Sequence, residues 1–177
     1  MKTTRNPVAG LFLRESSHTF DQYLPRIVKC LQQLSDEDIW WRPNAASNSV
    51  GNLVLHLCGN VRQWIISGLG EKPDVRIRDK EFAEKGPLPR SELIAKLRGT
   101  VREAKAVLQS LPPESLSRAY TIQGFKVTGL VAIAHVYEHF SYHAGQIIYV
   151  TKMKSAKDQR FTKLPKLKFP GTARKHP

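Results

Sequence analysis

The sequence predicts an all-α protein, a four-helix bundle with long connections between its helices. Four stretches repeat apolar residues at helical spacing, and they cover residues 11–34, 49–69, 90–111 and 127–151. A helix with one apolar side buries it against other helices, and 177 residues are enough to enclose one core. We therefore expect residues 1–151 to form the bundle. Residues 152–177 are expected to form a basic tail that is flexible or lightly docked.

The first predicted helix covers residues 11–34 and contains a proline. Pro25 lacks the amide hydrogen of a helical bond, so we expect a kink or a break near it. His18 projects away from the apolar side and is expected to be exposed. After this helix, Ser35 followed by Asp38 resembles a capping box, which predicts one short helical turn.

The second predicted helix covers residues 49–69 and is unusually poor in charge. Ser49 can cap its start, and Gly68 or Gly70 can end it. Arg62 is its only charged residue, and a helix with so little charge is usually buried on nearly all sides.

A stripe of uncharged polar residues nevertheless runs along this second helix. It consists of Asn52, His56, Asn60 and Gln63. Polar groups on a buried helix need a partner, which can be a polar cavity, water, another side chain or a metal ion. The alternative is that the stripe faces solvent.

The next part of the chain combines a charged connection with the third helix. Residues 71–89 are rich in charge, proline and glycine, whereas residues 90–111 show helical periodicity. Residues 118–127 are consistent with a short hairpin turning at Gln123 and Gly124, or with an irregular segment. The inward residues of the third helix are expected to be Leu93, Leu97, Val101, Ala104 and Leu108.

Three histidines follow one another at a spacing of four in the fourth predicted helix, residues 127–151. His143 and His139 lie roughly 40° and 80° from the centre of the apolar arc, whereas His135 lies about 120° away. The pair that faces the interior is therefore His139 and His143, and two imidazoles one turn apart can reach one metal ion. Spacing alone is a weak signal, because such a pair can also be hydrogen-bonded or solvated on a helix flank.

The positive charge is concentrated at the end of the chain. The net charge is +13, but residues 152–177 carry nine Lys or Arg and one Asp, so the preceding residues account for only +5. This distribution favours a solvated extension over a basic recognition face. Cys30 and Cys58 lie in apolar patterns and are expected to be buried thiols. No secretory leader or membrane-spanning run is evident, so we expect a cytoplasmic protein.

Two segments resemble the DinB-like superfamily of small bacterial four-helix bundles. They are SVGNLVLHLCGNVRQWI, which contains His56, and EHFSYHAGQI, which contains His139 and His143. The WWRP segment before the second helix is also similar. The family's metal triad takes one histidine from the second helix and two from the last, and this chain matches all three positions. His135 has no counterpart in that pattern.

The resemblance implies a divalent transition metal, with Zn or Ni expected, and in some relatives a low-molecular-weight thiol such as bacillithiol or mycothiol. Three imidazoles leave a coordination position open, as in catalytic sites, and their affinity for metal should fall as pH drops through about 6.5. We therefore expect a metal-dependent transferase or hydrolase that acts on a small molecule. Asn52, Asn60 and Gln146 are expected to line its pocket, and no Asp or Glu partner for the histidines is evident. Homodimers are also implied.

Two alternatives remain open at this point. The metal could brace the bundle without catalysis, or the basic tail could bind nucleic acid. The second alternative predicts an affinity that falls steeply with salt, although no nucleic-acid-binding motif supports it.

Overall fold

A computed structural model of the chain describes residues 7–86 and 88–156, together with residues 159 and 161. The helices are α1 (Pro7–Gln33), α2 (Asp36–Trp40), α3 (Val50–Val61), α4 (Arg78–Ala83), α5 (Arg90–Ser110) and α6 (Gly129–Ser155). A π-helical segment, Arg62–Leu69, continues α3, and a 3-10 turn covers Pro113–Leu116. Strands β1 (Ala119–Ile122) and β2 (Phe125–Thr128) form an antiparallel hairpin.

The four long helices form a bundle in which α1 and α3 each pack against both α5 and α6. The predicted all-α four-helix architecture is therefore confirmed. At its centre Phe20 of α1 meets Phe140 of α6 edge to face, with ring centroids 5.1 Å apart. The residues expected to face inward from the third helix are all buried. Within the described ranges, no helix is long and apolar enough to cross a membrane.

Helix α1 runs without interruption through Pro25, so the expected break is not there. Pro25 is exposed, whereas Phe20 and Ile27 on either side of it are buried in the core. Packing on both sides of the proline thus holds together a helix that local propensity would interrupt. His18 is exposed, as predicted.

Helix α3 begins at a complete capping box. The Ser49 hydroxyl accepts a hydrogen bond from the Asn52 backbone N–H at 3.1 Å, and Asn52 Oδ1 accepts one from the Ser49 N–H at 3.1 Å. After Val61 the bonding changes to the wider π pattern, which ends where the Gly70 N–H bonds the Ile65 carbonyl at 2.9 Å. Such segments are rare and are often found at functional sites.

The hairpin is confirmed, and it sets the start of α6. Gln123 and Gly124 both have positive φ, 53° and 81°, as two-residue hairpin turns require. Val127 and Thr128, expected to open the fourth helix, instead pair in β2 with Tyr120 and Ala119. Their β-branched side chains favour a strand. The Thr128 hydroxyl then caps α6.

The first part of the predicted tail lies against α1. Helix α6 continues to Ser155, past the boundary expected at residue 151. The Gln159 side chain exchanges two hydrogen bonds of 3.0 Å with Gln33, and Lys29 lies 5.1 Å from the Phe161 ring centroid. Residues 162–177 lie outside the described residues, so a flexible or lightly docked tail stays a prediction there.

Candidate metal centre

Three histidine side chains converge between α3 and α6. The Nε2 atom of His139 lies 3.1 Å from Nε2 of His56 and 3.1 Å from Nε2 of His143. One ring nitrogen of each histidine falls within 4.8 Å of the others, which would allow the three to hold a single metal ion. These are the three residues that the sequence predicted as ligands.

The two helices bring these rings together because each presents a polar position beside a buried apolar face. His56 belongs to the polar stripe of α3 and is itself buried, with 7% of its surface exposed. His139 and His143 are half-buried on α6, beside the fully buried Phe140 and Ala144. The stripe of α3 therefore faces the protein interior at His56, and the alternative of a solvent-facing stripe is wrong there.

An acidic residue that the sequence did not reveal contacts the first of these histidines. Glu81 lies in α4, within the charged connection predicted between the second and third helices. Its Oε2 is 2.9 Å from His56 Nδ1. The structure therefore supplies the acidic partner that was not evident in the sequence. The uncharged stripe on α3 indicated that a partner was needed, but the partner lies 25 residues further along the chain.

Asn52, expected to line a pocket, fastens α4 to α3. Its Nδ2 donates to the carbonyls of Glu81 and Glu84 at 2.9 and 2.8 Å. Its Oδ1 accepts from Arg42 at 2.8 Å as well as from Ser49. The Nδ2 hydrogen bonds thus hold the backbone at Glu81 and Glu84 against α3.

Gln146, also expected in the pocket, contacts a histidine directly. Its Oε1 lies 2.6 Å from Nδ1 of His143, so the amide oxygen can accept a hydrogen bond from the Nδ1–H of that ring. Nδ1 of His139 is buried and has no hydrogen-bond partner within the described part of the chain. The second nitrogens of the three rings therefore differ: Nδ1 of His56 faces a carboxylate, Nδ1 of His143 faces an amide, and Nδ1 of His139 has no hydrogen-bond partner among the described residues.

His135 stands outside the triad, as predicted. Its ring lies against the Trp64 ring at a tilt of 38°, with centroids 4.2 Å apart, and its Nε2 lies 3.2 Å from Nδ2 of Asn60. Asn60, the third residue expected in the pocket, therefore contacts His135 and not a ligand histidine. Its Oδ1 is buried without a hydrogen-bond partner among the described residues.

The protonation properties of the site favour neutral imidazoles. Burial lowers the pKa of His139 to about 3, and the neighbouring His143 and His56 add to this effect. Burial also lowers the pKa of His143. Only neutral imidazole binds metal, so these shifts extend the pH range in which His139 and His143 can bind a metal ion below the expected 6.5.

The carboxyl group of Glu81, which contacts His56, remains ionised at neutral pH. Burial raises the pKa of Glu81, but hydrogen bonds from Arg76 and His56 outweigh that effect and the net shift is downward. A carboxylate therefore faces His56 at neutral pH.

The residues present fit a divalent transition metal. The donor set consists of three ring nitrogens, which suit Zn, Ni, Co or Cu better than Mg or Ca. Two of the rings have an acceptor oxygen at their other nitrogen, the arrangement usual for metal-binding histidines. His56, His139 and His143 would hold the ion.

Comparison with known proteins agrees with this architecture. The chain has 20% identity to a conserved protein from Enterococcus faecalis, covering 81% of this chain and 97% of that one, with a TM-score of 0.69. A DinB-like protein, YjoA, from Bacillus subtilis has 19% identity over 81% and 94% of the two chains, with a TM-score of 0.63. A DinB-like protein from Bacillus cereus has 17% identity over 81% and 90%, with a TM-score of 0.62. At these identities the likeness concerns the fold.

The match to a protein family is more extensive. A family model described as "Protein of unknown function (DUF1572)" matches residues 7–168, which is most of the chain. None of the curated proteins is significantly similar to the chain. The chain therefore belongs to the DUF1572 family, and its fold is similar to that of the two DinB-like proteins.

Proposed function

We propose that His56, His139 and His143 bind one divalent transition metal ion and that the protein is a metal-dependent transferase or hydrolase acting on a small molecule. The observation that carries the proposal is the convergence of three imidazole nitrogens within 4.8 Å of one another. A divalent ion with three protein ligands and an open position can lower the pKa of a bound water or thiol.

The surroundings of the triad support an organic substrate. Phe82 lies against His56 with ring centroids 4.8 Å apart, and Tyr142 lies edge-on to His143 at 5.0 Å. Tyr142 is 62% exposed, so it offers an aromatic surface to solvent beside the ligands. Aromatic side chains next to a few polar groups are typical of small-molecule sites.

A second candidate is a metal ion that only braces α3 against α6. One observation favours it: a cleft of about 660 Å³ between α3, α4 and α5 is lined by Arg76 and Glu81 but not by the three histidines. An ion whose ligands do not line this cleft suits a structural role better than a catalytic one.

Replacing any one of the three ligands with Ala should abolish stoichiometric metal binding, because two imidazoles hold an ion much less tightly than three. The test is the metal content of His56→Ala, His139→Ala and His143→Ala after reconstitution with Zn²⁺ or Ni²⁺ and gel filtration. His135→Ala and His18→Ala are the controls and should retain one ion per chain. If His56→Ala keeps its metal while His135→Ala loses it, the site is instead a local cluster on α6.

Turnover separates the enzyme from the braced bundle. The metal-loaded protein should transfer a low-molecular-weight thiol to small electrophiles or hydrolyse small esters and amides, and His139→Ala should not. A protein that binds a full equivalent of metal, gains thermal stability from it and turns over none of these substrates favours the bracing role.

A further inference from the structure

The carboxylate of Glu81 is buried, and apolar packing alone does not explain why a charged group lies there. It is the one acidic side chain buried in the part of the chain that the structure describes. Burying a charge is costly unless the charge is paired and hydrogen-bonded, so a buried carboxylate needs specific partners. Its partners here are the His56 ring and the Arg76 guanidinium.

Arg76 fixes both oxygens of this carboxylate. Its Nε donates to Oε1 at 2.7 Å and its Nη2 donates to Oε2 at 2.8 Å, a bidentate pair in which the Arg76 side chain is only 4% exposed. Gln63 and Asp74 hold the arginine in turn, because Arg76 donates to Gln63 Oε1 at 2.9 Å and from its backbone N–H to Asp74 at 3.1 Å. The carboxylate is thus an oriented anion that can only accept hydrogen bonds.

The ring of His56 must adapt to this fixed acceptor. Oε2 lies 2.9 Å from Nδ1 and can only accept, so a neutral His56 ring makes this hydrogen bond only when its proton is on Nδ1. Arg76 Nη2 also lies 3.2 Å from Nδ1, but it already donates to Oε2 at 2.8 Å. In that form the lone pair is on Nε2, the atom that lies 3.1 Å from Nε2 of His139. A free histidine side chain in water favours the opposite tautomer, with its proton on Nε2.

We infer that Glu81, held by Arg76, is a positioning residue that fixes His56 in the Nδ1–H tautomer and so presents its Nε2 lone pair to the metal before any metal binds. The inference rests on the proposed function, because the Nδ1–H tautomer matters only if His56 binds a metal ion through Nε2. Gln146 can favour the same tautomer of His143, because its Oε1 lies 2.6 Å from that ring's Nδ1, but its acceptor is a neutral amide oxygen. The charged acceptor is the stronger of the two.

The backbone of α3 leaves room for this contact. A Cβ atom added at Gly59 would lie 1.8 Å from Glu81 Oε1 and 2.8 Å from Arg76 Nε. Gly59 therefore allows the ion pair to approach the helix that carries His56. An Ala at this position should displace the carboxylate without removing it.

The first test reads the tautomer in metal-free protein by NMR of 15N-labelled histidine. The wild-type protein should have His56 protonated at Nδ1. In Glu81→Met the acceptor is gone, and Arg76 Nη2, which lies 3.2 Å from Nδ1, can donate to that atom. His56 should then carry its proton on Nε2, and retention of the Nδ1–H form would overturn the inference.

The second test measures affinity for Zn²⁺ by competition with a chromophoric chelator. Glu81→Met should weaken binding about 10- to 100-fold, the range usual for losing such a partner, and Glu81→Gln, which keeps the size and one acceptor oxygen, should weaken it less. Glu138→Gln removes the same charge from the exposed side of α6 and should change nothing. Unchanged affinity in Glu81→Met would overturn the inference.

Two further variants keep the test valid if Glu81→Met fails to fold. Gly59→Ala should weaken Zn²⁺ binding about tenfold, whereas Gly99→Ala, where an added Cβ meets nothing within 4 Å, should not. Equal affinities for these two variants would contradict the inference. If even the wild-type protein binds no metal while the tautomer still switches in Glu81→Met, the proposed function fails and the positioning of His56 by Glu81 stands.

Discussion

Replacing Gly129 with Ala should destabilise the protein by about 2–3 kcal/mol, the cost typical of forcing an atom into a filled site. A Cβ atom at this position would lie 2.1 Å from the carbonyl oxygen of Ser115. That oxygen belongs to the backbone, so no side-chain rotation can relieve the clash. The N–H of Gly129 also bonds the Arg118 carbonyl at 3.1 Å, which prevents α6 from moving away freely.

The matched control for this substitution lies on the same helix. At Gly145 an added Cβ meets nothing within 4 Å, and the residue is exposed. Gly145→Ala should therefore stabilise the protein by roughly 0.5–1 kcal/mol, because Ala favours the helix. Urea unfolding followed by circular dichroism measures both variants. Equal stabilities would show that the start of α6 can shift to accept a side chain.

The metal-free protein should lose stability as the pH falls from about 6.5 to about 4.5. Burial lowers the pKa of His139 to about 3, whereas the same residue in the unfolded chain titrates near 6.5. Between these values the unfolded state binds a proton that the folded state does not. The free energy of unfolding then falls by up to about 1.4 kcal/mol per pH unit from this residue alone, and the contribution is fully present only above 6.5.

The measurement is urea unfolding of metal-free protein at several pH values within this window. His139→Gln should show a shallower slope than the wild type, and the slopes of the two proteins should converge above pH 7.5. The window ends near 4.5 because the lowered pKa of Glu81 causes a separate loss of stability below that pH. An identical slope in both proteins would mean that His139 is accessible to protons in the folded state.

The features that could be predicted from the sequence are those set by neighbouring residues within or beside a single helix. The buried arc of α6 and the position of His135 outside the triad both follow from angles around a regular helix. The capping pairs at Ser35 and Ser49 are equally local and are confirmed. The convergence of His56 with the α6 pair was predicted only with the help of the family resemblance.

The features that could not be predicted depend on contacts between distant parts of the chain. Glu81 and Arg76 lie in a charged segment without apolar periodicity, and the helix that carries Glu81 has only six residues. Nothing local distinguishes this glutamate from its exposed neighbours. The π-helical segment after Val61 was also missed, because its wider hydrogen-bond pattern departs from the spacing used to recognise helices.

The separation of the ligands along the chain has a consequence for how the protein folds. His56 and His139 are 83 residues apart, whereas His139 and His143 are neighbours on one helix. A nascent α6 can therefore offer a metal ion two weak ligands, but the full site exists only after the chain has closed the loop that brings α6 onto α3. Tight metal binding during refolding would consequently report the docking of these two helices, and not the formation of either one.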